Sequence, residues 1–284
     1  MIFAEVSDKE WLDDLIDVAL AEDIGSGDVT TDAIIGDQKK AKAVWVAKQD
    51  GVVAGLDAAK FVFQKLDENI EWNSIFKNGD PIENGDIMVE FQGNCRAILT
   101  AERTALNIAQ RMSGIATKTA ELIQALDGYS TKILDTRKTV PGLRSLDKRA
   151  VKAGGGTNHR MGLYDLAMIK DNHIQVAGSI TKAVDLVRCA NPEIKIEVET
   201  TNIDQVEEAL DAGADIIMLD NMSLDQMHEA VQKIRDRAET EASGNITHKN
   251  IREVAETGVN FISVGALTHS VKAFDISQRI AKIF

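Results

Sequence analysis

A repeated pattern, in which a short strand-like run precedes a helical stretch, fills the sequence from Lys132 onward. Most of these runs are rich in Ile, Val, Leu and Met, and each ends in a polar residue or a Gly-containing turn. Repeated strand–helix units predict a parallel sheet with helices packed outside it, either open or closed into a barrel. The six predicted strands lie at 132–136, 166–170, 194–200, 215–220, 238–243 and 261–265, with helices beginning near Leu143, Ser179, Ile203, Leu224 and Thr247.

The preceding part of the chain follows a different rhythm. Apolar residues at helical spacing predict helices at 11–20 and 57–66, and strand-like runs lie at 41–47 and 87–91. Asp50-Gly51 predicts a hairpin turn from the strand at 41–47 into residues 52–54. A long helical pattern covers 96–126 and is interrupted near Ser113-Gly114. This mixed order predicts an α+β layer domain ahead of the parallel sheet.

A basic segment stands out in an otherwise acidic protein. The whole chain has a net charge of −13, but 137–173 holds eight Lys or Arg against three Asp, so this segment carries +5 and the remainder −18. The overall acidity argues against a nucleic-acid partner, and a basic island of this kind favours an anionic small ligand. Lys148, Arg149 and Lys152 also fit the simpler interpretation of a solvated helix face.

The cysteine content and the apolar runs of the sequence indicate the cellular compartment of the protein. The two cysteines, Cys95 and Cys189, have no Cys or His partner at the spacing of a zinc site, so we expect reduced, buried thiols in a cytoplasmic protein. The first ten residues lack the basic region and apolar run of a signal peptide. No apolar run approaches the roughly 20 residues of a spanning helix, so we expect no membrane partner.

Polar residues at the carboxyl ends of the predicted strands form three groups that point to one site. In a barrel, the active site is assembled from these ends. Cations match carboxylate or phosphate groups, paired carboxylates can act as acid and base or hold a divalent metal, and late loops with exposed N–H groups bind phosphate. The cationic group is Arg137, Lys138, His159, Arg160 and Lys170, the acidic group is Glu199 and Asp220, and the loops are Ser243-Gly244-Asn245 and Gly265-Ala266.

Each of these residues also has a structural interpretation when it is taken alone. A single carboxylate at a strand end more often caps a helix or pairs with a cation. His159 alone is more often structural, and His173 fits a turn as well as a site. Taken together on successive strands, the residues predict transfer or lyase chemistry on a phosphorylated substrate, with Mg²⁺ as a plausible cofactor.

The same residues resemble the quinolinate phosphoribosyltransferase family, whose members are also called nicotinate-nucleotide pyrophosphorylases (carboxylating). The resemblance spans nearly the whole chain, in order, and is more specific than any single motif. Two departures, Asn245 where many relatives have Gly and Phe274 where a smaller apolar residue is expected, leave the proposed chemistry unchanged. The matching motifs lie at 22–32, 102–107, 112–117, 135–139, 141–144, 155–160, 170–173, 197–199, 219–221, 243–245 and 265–270.

The resemblance implies a fold and a reaction. The fold would be an N-terminal α/β sandwich domain at 1–112, an incomplete, open α/β barrel at 113–270, and a C-terminal tail at 271–284 that packs on the first domain. The enzyme would join quinolinate to phosphoribosyl pyrophosphate with Mg²⁺, releasing pyrophosphate and CO₂ and making nicotinate mononucleotide for NAD synthesis. It would act as a homodimer with shared active sites, with higher oligomers left open.

The resemblance also implies roles for individual residues. Lys138, Glu199 and Asp220 would be catalytic, with the two carboxylates meeting the metal largely through substrate and water. Quinolinate would be held by Arg103, Thr136, Arg137, His159, Arg160 and Lys170. Phosphoribosyl pyrophosphate would be held by Lys138, Ser243, Gly244, Asn245, Gly265 and Ala266.

Three alternatives remain at this stage. One is a paralogue of the same fold, associated with molybdenum transport and of uncertain substrate. Another is a nicotinate phosphoribosyltransferase, whose substrate carries a single carboxylate. The third is a non-catalytic sensor of a phosphorylated metabolite. The number of cations favours a dianionic acceptor over the first two, and release of pyrophosphate would exclude the third.

Overall fold

The six predicted strands form a single parallel sheet in the computed structural model, which describes residues 8–284. The strands are β6 Lys132–Leu134, β7 Ala167–Ile169, β8 Ile196–Thr200, β9 Ile216–Asp220, β10 Glu239–Ser243 and β11 Phe261–Ser263. Their order in the sheet is β6-β11-β10-β9-β8-β7, so the first strand pairs with the last and the others follow in sequence. A bridge between Leu134 and Thr157 extends the free edge of β6. This order is that of an α/β barrel left open at one seam, as predicted.

Helices follow the barrel strands, as expected for right-handed βα units. Apolar side chains on one face of each longer helix are buried, as at Val206 and Leu210, and the opposite face carries charge. One helix, which begins directly after Lys170, was not predicted. The helices of this part are α7 Asp171–Ala177, α8 Ile180–Ala190, α9 Ile203–Asp211, α10 Leu224–Ile234, α11 Ile251–Glu256 and α12 Ala266–His269.

The chain divides into two compact units. One comprises the chain up to Lys118 with Pro141–Gly154 and Val271–Phe284, and the other comprises Thr119–Val140 and Gly155–Ser270. The elements that begin in the first unit are α1 Asp8–Ile24, α2 Val29–Ile34, β1 Lys40–Ala47, β2 Gly51–Val52, α3 Leu56–Leu66, β3 Glu71–Ser74, β4 Pro81–Ile82, β5 Ile87–Asn94, α4 Cys95–Thr100, α5 Glu102–Ala125, α6 Arg144–Ala153 and β12 Ile276–Ile283.

An antiparallel sheet of order β12-β1-β5-β3 organises the first unit. Its core is aromatic: the rings of Trp45, Phe63, Trp72 and Phe91 contact one another with centroids 4.8 to 6.2 Å apart. Trp45 and Phe63 are fully buried. Such tilted and edge-to-face contacts add to the stabilisation from burying the large rings. The predicted mixed α/β layer is therefore present.

The predicted hairpin at Asp50-Gly51 is wrong. Strand β2 pairs with β4, not with β1. Both edges of β1 are already occupied, because it pairs with β5 on one side and with the C-terminal strand β12 on the other. The distant strand β12 therefore takes the edge that a local hairpin would need.

The predicted interruption at Ser113-Gly114 is also wrong, since α5 runs through both residues. The break lies at Ala101, between α4 and α5. Ser113 Oγ accepts the N–H of Ala54 and donates to its carbonyl, both at 3.0 Å. A Cβ at Gly114 would lie 2.1 Å from the carbonyl oxygen of Lys272. The two small residues therefore permit close packing rather than end the helix.

Two further expectations concern the whole chain. No helix among the residues that the structure describes is long and apolar enough to span a bilayer. The signal-peptide expectation falls mainly on residues 1–7, which lie outside the described residues.

Candidate active site

A cavity of about 610 Å³ lies at the carboxyl ends of the barrel strands. Its lining contains eleven of the predicted site residues, so successive strand ends do converge on one site. The same lining includes Met168, Met218, Asn221, Glu241 and Ser263, which the sequence argument missed. The predicted residues in the lining are Thr136, Arg137, Lys138, His159, Arg160, Lys170, Glu199, Asp220, Ser243, Gly244 and Asn245.

Three predicted residues lie outside this lining. Gly265 instead packs beside Lys138, because a Cβ built there would lie 3.2 Å from Lys138 Cδ. Ala266 begins the short helix α12. Arg103 lies near the start of α5 in the first unit, where its guanidinium is 67% exposed and 3.4 Å from Glu102.

Two arginines form the cationic part of the cavity. The Nε atoms of Arg137 and Arg160 are both buried and have no hydrogen-bond partner within residues 8–284. Arg160 donates to the carbonyl of Leu166 at 3.0 Å and contacts the sulfur of Met168 at 3.7 Å. Burial, and then the charge of Arg137, lower the pKa of Arg160. Two half-buried arginines, each with a buried and unused Nε donor, make a strong site for carboxylate or phosphate oxygens.

His159 contacts two buried glutamates. Its Nε2 lies 2.9 Å from a carboxylate oxygen of Glu197 on β8 and 3.3 Å from one of Glu241 on β10. The hydroxyl of Ser263 donates to the other oxygen of Glu241. The backbone N–H of His159 donates to Asp135, which is fully buried. These contacts fix the imidazole among the strands of the barrel.

The cluster shifts the pKa values of its members. Burial lowers the pKa of His159, but the hydrogen bonds and charges of Glu197 and Glu241 outweigh burial and raise it to about 10. Burial, followed by the charge of Glu241, raises the pKa of Glu197 to about 7 against the opposing effect of His159.

The second ring nitrogen of His159 also has a partner. Nδ1 accepts the backbone N–H of Arg160 at 2.7 Å, a contact that needs this nitrogen unprotonated, whereas the two carboxylates favour a protonated ring. A direct bond from His159 to a ligand therefore requires one of these contacts to open. In this structure both ring nitrogens of His159 contact protein atoms, and Nδ1 positions the backbone of Arg160.

Lys170 and Glu199 pair with each other across neighbouring strands β7 and β8. The lysine side chain is 42% exposed and the carboxylate 17%, so the lysine is the more accessible partner. The backbone N–H of Lys170 donates to Nδ1 of His173 at 3.0 Å. His173 is thus part of the cap of α7, and it lies outside the lining of the cavity.

Lys138 is held by its backbone at the end of β6. Its N–H donates to Thr136 Oγ1 at 3.1 Å, and its carbonyl accepts from Thr268 Oγ1 at 2.8 Å. Those two contacts fix the main chain and leave the ammonium group to the cavity. Gly265 provides room for the aliphatic stem of Lys138.

Glu199 and Asp220 supply hard oxygen atoms to the cavity. Neither belongs to a group of three close metal-ligating side chains; among the described residues that arrangement occurs at His159, Glu197 and Glu241. Carboxylate oxygens suit Mg²⁺, and two of them leave most coordination positions to oxygens from a ligand and from water. The donor set therefore fits a divalent ion carried in on a phosphorylated ligand.

Sequence order contained a signal for the missed glutamates. Glu197 lies in an alternating strand with apolar Ile196 and Val198 on one side of the pleat and Glu199 on its own side. A charged residue inside a buried parallel strand is unusual, so its position indicates a polar partner inside the barrel, which the structure shows to be His159. Glu241 and Ser263 depend on the pairing of β10 with β11, which the sequence alone does not fix.

Comparisons with known proteins agree with this geometry. The N-terminal domain model of quinolinate phosphoribosyl transferase matches residues 28–113, and the C-terminal domain model matches residues 115–279. A probable nicotinate-nucleotide pyrophosphorylase [carboxylating] of Bacillus subtilis (strain 168) is 48% identical over 260 residues, which cover 91% of this chain and 90% of the relative. A protein of the same description from Synechocystis is 46% identical, with coverage of 93% and 90%.

Solved structures give the same result. The crystal structure of NadC from Streptococcus pyogenes superposes with a TM-score of 0.93 at 41% identity and covers 99% of each chain. The nicotinate-nucleotide pyrophosphorylase of Francisella tularensis gives a TM-score of 0.91 at 41% identity, with coverage of 97% and 98%.

Proposed function

This chain belongs to the quinolinate phosphoribosyltransferase family, and on that premise we propose that it transfers phosphoribosyl from phosphoribosyl pyrophosphate to quinolinate. The products are nicotinate mononucleotide, pyrophosphate and CO₂, in de novo NAD synthesis. The observation that carries the proposal is the pair of half-buried arginines, Arg137 and Arg160, whose buried Nε donors are unused within the described chain. A pyridine dicarboxylate supplies the two negative groups that such a wall requires.

The cationic wall is proposed to bind quinolinate. Arg137 and Arg160 take its carboxylates, and Lys170 adds a third cation when it leaves Glu199. The Thr136 hydroxyl lines the same part of the cavity. His159 is proposed to act mainly through Arg160, because its ring nitrogens contact Glu197, Glu241 and the Arg160 amide.

The opposite wall is proposed to bind phosphoribosyl pyrophosphate. The loop Ser243, Gly244 and Asn245 offers backbone N–H groups to the 5′-phosphate, and Gly265 and Ala266 continue this region. Lys138 reaches the pyrophosphate as a cation. Glu199 and Asp220 would hold Mg²⁺, which when bound neutralises charge on the leaving pyrophosphate.

The chemistry follows from this division of charge. As the bond from the ribose anomeric carbon to pyrophosphate breaks, positive charge develops on the ribose, and the carboxylates of Glu199 and Asp220 stabilise it. The ring nitrogen of quinolinate then bonds to that carbon and becomes a pyridinium. The pyridinium accepts the electron pair of the adjacent carbon–carboxylate bond as CO₂ leaves, and the ring carbon takes a proton.

Arg103 is proposed to act in the site of a second subunit. Its side chain is largely exposed, and its ion pair within the described residues is with Glu102, so it is available to an anion on a neighbouring copy across a two-fold interface. Arg103→Ala and Lys138→Ala homodimers should each be nearly inactive. When subunits exchange, mixed dimers carry one site with both defects and one with neither, so activity should return to roughly a quarter of wild type at equal amounts. No recovery after confirmed exchange would remove Arg103 from the partner's site.

The cytoplasm is proposed as the compartment. Both cysteines are free thiols; Cys95 is buried as expected, whereas Cys189 is exposed, so the expectation of two buried thiols is wrong for Cys189. Free thiols are typical of a reducing compartment.

The direct test of the function uses purified protein, phosphoribosyl pyrophosphate, Mg²⁺ and quinolinate labelled at the 2-carboxylate. We expect nicotinate mononucleotide, pyrophosphate and labelled CO₂ in equal amounts. Binding of phosphoribosyl pyrophosphate without turnover would favour the non-catalytic sensor. Turnover with a different acceptor, and none with quinolinate, would favour the same-fold paralogue.

A further inference from the structure

A chain of side-chain hydrogen bonds joins the phosphate loop to Asp220. Asn245 Nδ2 donates to Asn221 Oδ1 at 3.0 Å, and Asn221 Nδ2 donates to Asp220 Oδ2 at 2.8 Å. The backbone adds a parallel link, because the N–H of Asn221 donates to the carbonyl of Ser243 at 2.9 Å. The turns after β9 and β10 are therefore connected twice.

Both turns contain residues with the left-handed backbone conformation. Asn221 and Asn245 have φ values of +54° and +52°, and Gly244 between the two links has φ +98°. Of the described non-glycine residues, the third with positive φ is Arg235. Asparagine tolerates this conformation better than most residues because its short amide bonds locally.

Gly244 leaves the space that the Asn221 amide fills. A Cβ at Gly244 would lie 2.2 Å from Asn221 Oδ1. Asn250 Nδ2 in turn donates to the carbonyl of Asn245 at 3.3 Å and anchors the far side of the loop. A movement of Asn245 or Gly244 therefore meets the Asn221 amide directly.

The direction of the chain is fixed by amide chemistry. Asn221 uses its oxygen as acceptor toward Asn245, so its NH₂ group faces Asp220 as donor. This donor occupies Oδ2 of Asp220 and leaves Oδ1 as the second carboxylate oxygen. The orientation of the carboxylate is thus set by a residue that belongs to neither the phosphate loop nor the predicted metal ligands.

We propose that Asn221 is a positioning residue that couples occupancy of the phosphate loop Ser243–Asn245 to the orientation of the Asp220 carboxylate. This inference rests on the proposed function, because it assigns the 5′-phosphate to the loop and the pyrophosphate with its Mg²⁺ to the Asp220 side. A phosphate on the loop fixes Asn245, the two amides transmit that position, and Asp220 is held ready for the second group. The two ends of the substrate then bind with positive coupling.

The test measures that coupling with two separate probes. Ribose 5-phosphate occupies the loop and Mg²⁺–pyrophosphate the Asp220 side, and calorimetry gives the affinity for each with and without the other. In the wild type, each probe should raise the affinity for the other by at least about fivefold. In Asn221→Gly, which accepts positive φ but lacks the amide, the factor should fall to about one.

Two further variants keep the test decisive. Asn221→Asp retains the local conformational preference but has no donor for Asp220, so it should lose the coupling even if Asn221→Gly proves unstable. Arg235→Gly is the matched control. Arg235 also has a positive φ but lies outside the cavity lining, so this variant should retain the coupling.

The outcomes separate this inference from the proposed function. Coupling that is absent from the wild type, or that persists in both Asn221 variants, would overturn the positioning role and leave the phosphoribosyl transfer standing. Absence of binding by both probes, together with absence of turnover, would overturn the proposed function and this inference with it.

Discussion

The two units of this chain differ in the side chains that they bury within otherwise largely aliphatic cores. In the first unit the buried side chains at the centre are aromatic, with Trp45 and Phe63 fully buried and Phe91 2% exposed. In the second unit the interior of the parallel sheet contains Glu197 at 0% exposure and Glu241 at 1%. Burying aromatic surface stabilises a fold, whereas burying carboxylates costs free energy unless they are paired and hydrogen-bonded.

Stability and function therefore depend on different side chains in the two units. The glutamates of the second unit are partnered by His159 and Ser263, so their burial is partly compensated. They lie beside a cavity that is also lined by Arg137 and Arg160, whose Nε atoms are buried. We therefore expect substitutions in the first core to act on unfolding, and substitutions around the cavity to act on binding and turnover.

The largest effect should follow loss of charge from the cavity. Lys138→Ala and Glu199→Ala should each lower kcat by about 10³-fold, since both remove charge where charge develops in the reaction. Their thermal unfolding should stay close to wild type because both residues lie at strand ends. Activity and unfolding are to be measured on the same samples.

Lys195→Ala is the control for that experiment. Lys195 also pairs with a glutamate, Glu239, but its side chain is 65% exposed and lies outside the cavity lining. It should keep full activity. If the Lys138 and Glu199 variants lose activity only because a matching fraction of the protein is unfolded, then these residues act on stability and the separation of stability from function is wrong.

An effect of similar size, on stability instead of turnover, is expected from the aromatic core of the first unit. Phe63→Ala should lower the free energy of unfolding by about 3–5 kcal/mol, because it removes a buried ring and leaves a cavity. Urea unfolding followed by tryptophan fluorescence measures this locally, since Trp45 and Trp72 contact Phe63. Phe284→Ala, at a side chain 51% exposed, should change the value by less than about 0.5 kcal/mol. A loss below about 1 kcal/mol for Phe63→Ala would contradict the assignment of stability to this core.

A further effect concerns the pH dependence of stability. The pKa of His159 is raised above its ordinary 6.5 to about 10 by Glu197 and Glu241, which overcome burial. A raised histidine pKa contributes stability that is complete below pH 6.5 and is lost as pH rises toward 10. The raised pKa of Glu197, about 7, likewise favours its protonated form and contributes stability that is lost between its ordinary 4.5 and 7.

NMR of the imidazole ring nitrogens measures this directly. Wild-type His159 should titrate above pH 6.5, and Glu197→Gln and Glu241→Gln should each lower its pKa. Titration of the wild-type ring at or below 6.5 would show that burial and the Arg160 amide outweigh the carboxylates. The polar core would then be held by neutral hydrogen bonds.

The barrel and most of its site could be predicted from sequence because their signals are local. Strand periodicity ends in polar residues at Arg137, Lys170, Glu199 and Asp220, and parallel strands bring their carboxyl ends to one edge. The amide chain from Asn245 to Asp220 was not predicted, because it depends on the register that sets Ser243 opposite Asp220 and on two left-handed residues.

The errors in the first unit have a related cause. Gly114 was interpreted as a helix break, yet it permits close approach of the Lys272 carbonyl. Asp50-Gly51 was interpreted as a hairpin, yet β12 occupies the β1 edge that the hairpin needs. Both depend on residues near the C-terminus, which local turn and helix signals cannot report.

The preference for a dianionic acceptor is measured by the ratio of kcat/KM for quinolinate to that for nicotinate, with Mg²⁺ and phosphoribosyl pyrophosphate present at saturation. The two acids differ by one carboxylate, and the cationic wall around Arg137 and Arg160 would be left partly unpaired by the monoanion. A site built to pair a substrate group rejects an analogue lacking it by about 10⁴-fold or more, so we expect a ratio on that order. Comparable values for the two acids would contradict the claim that this polar core is built for a dianionic acceptor.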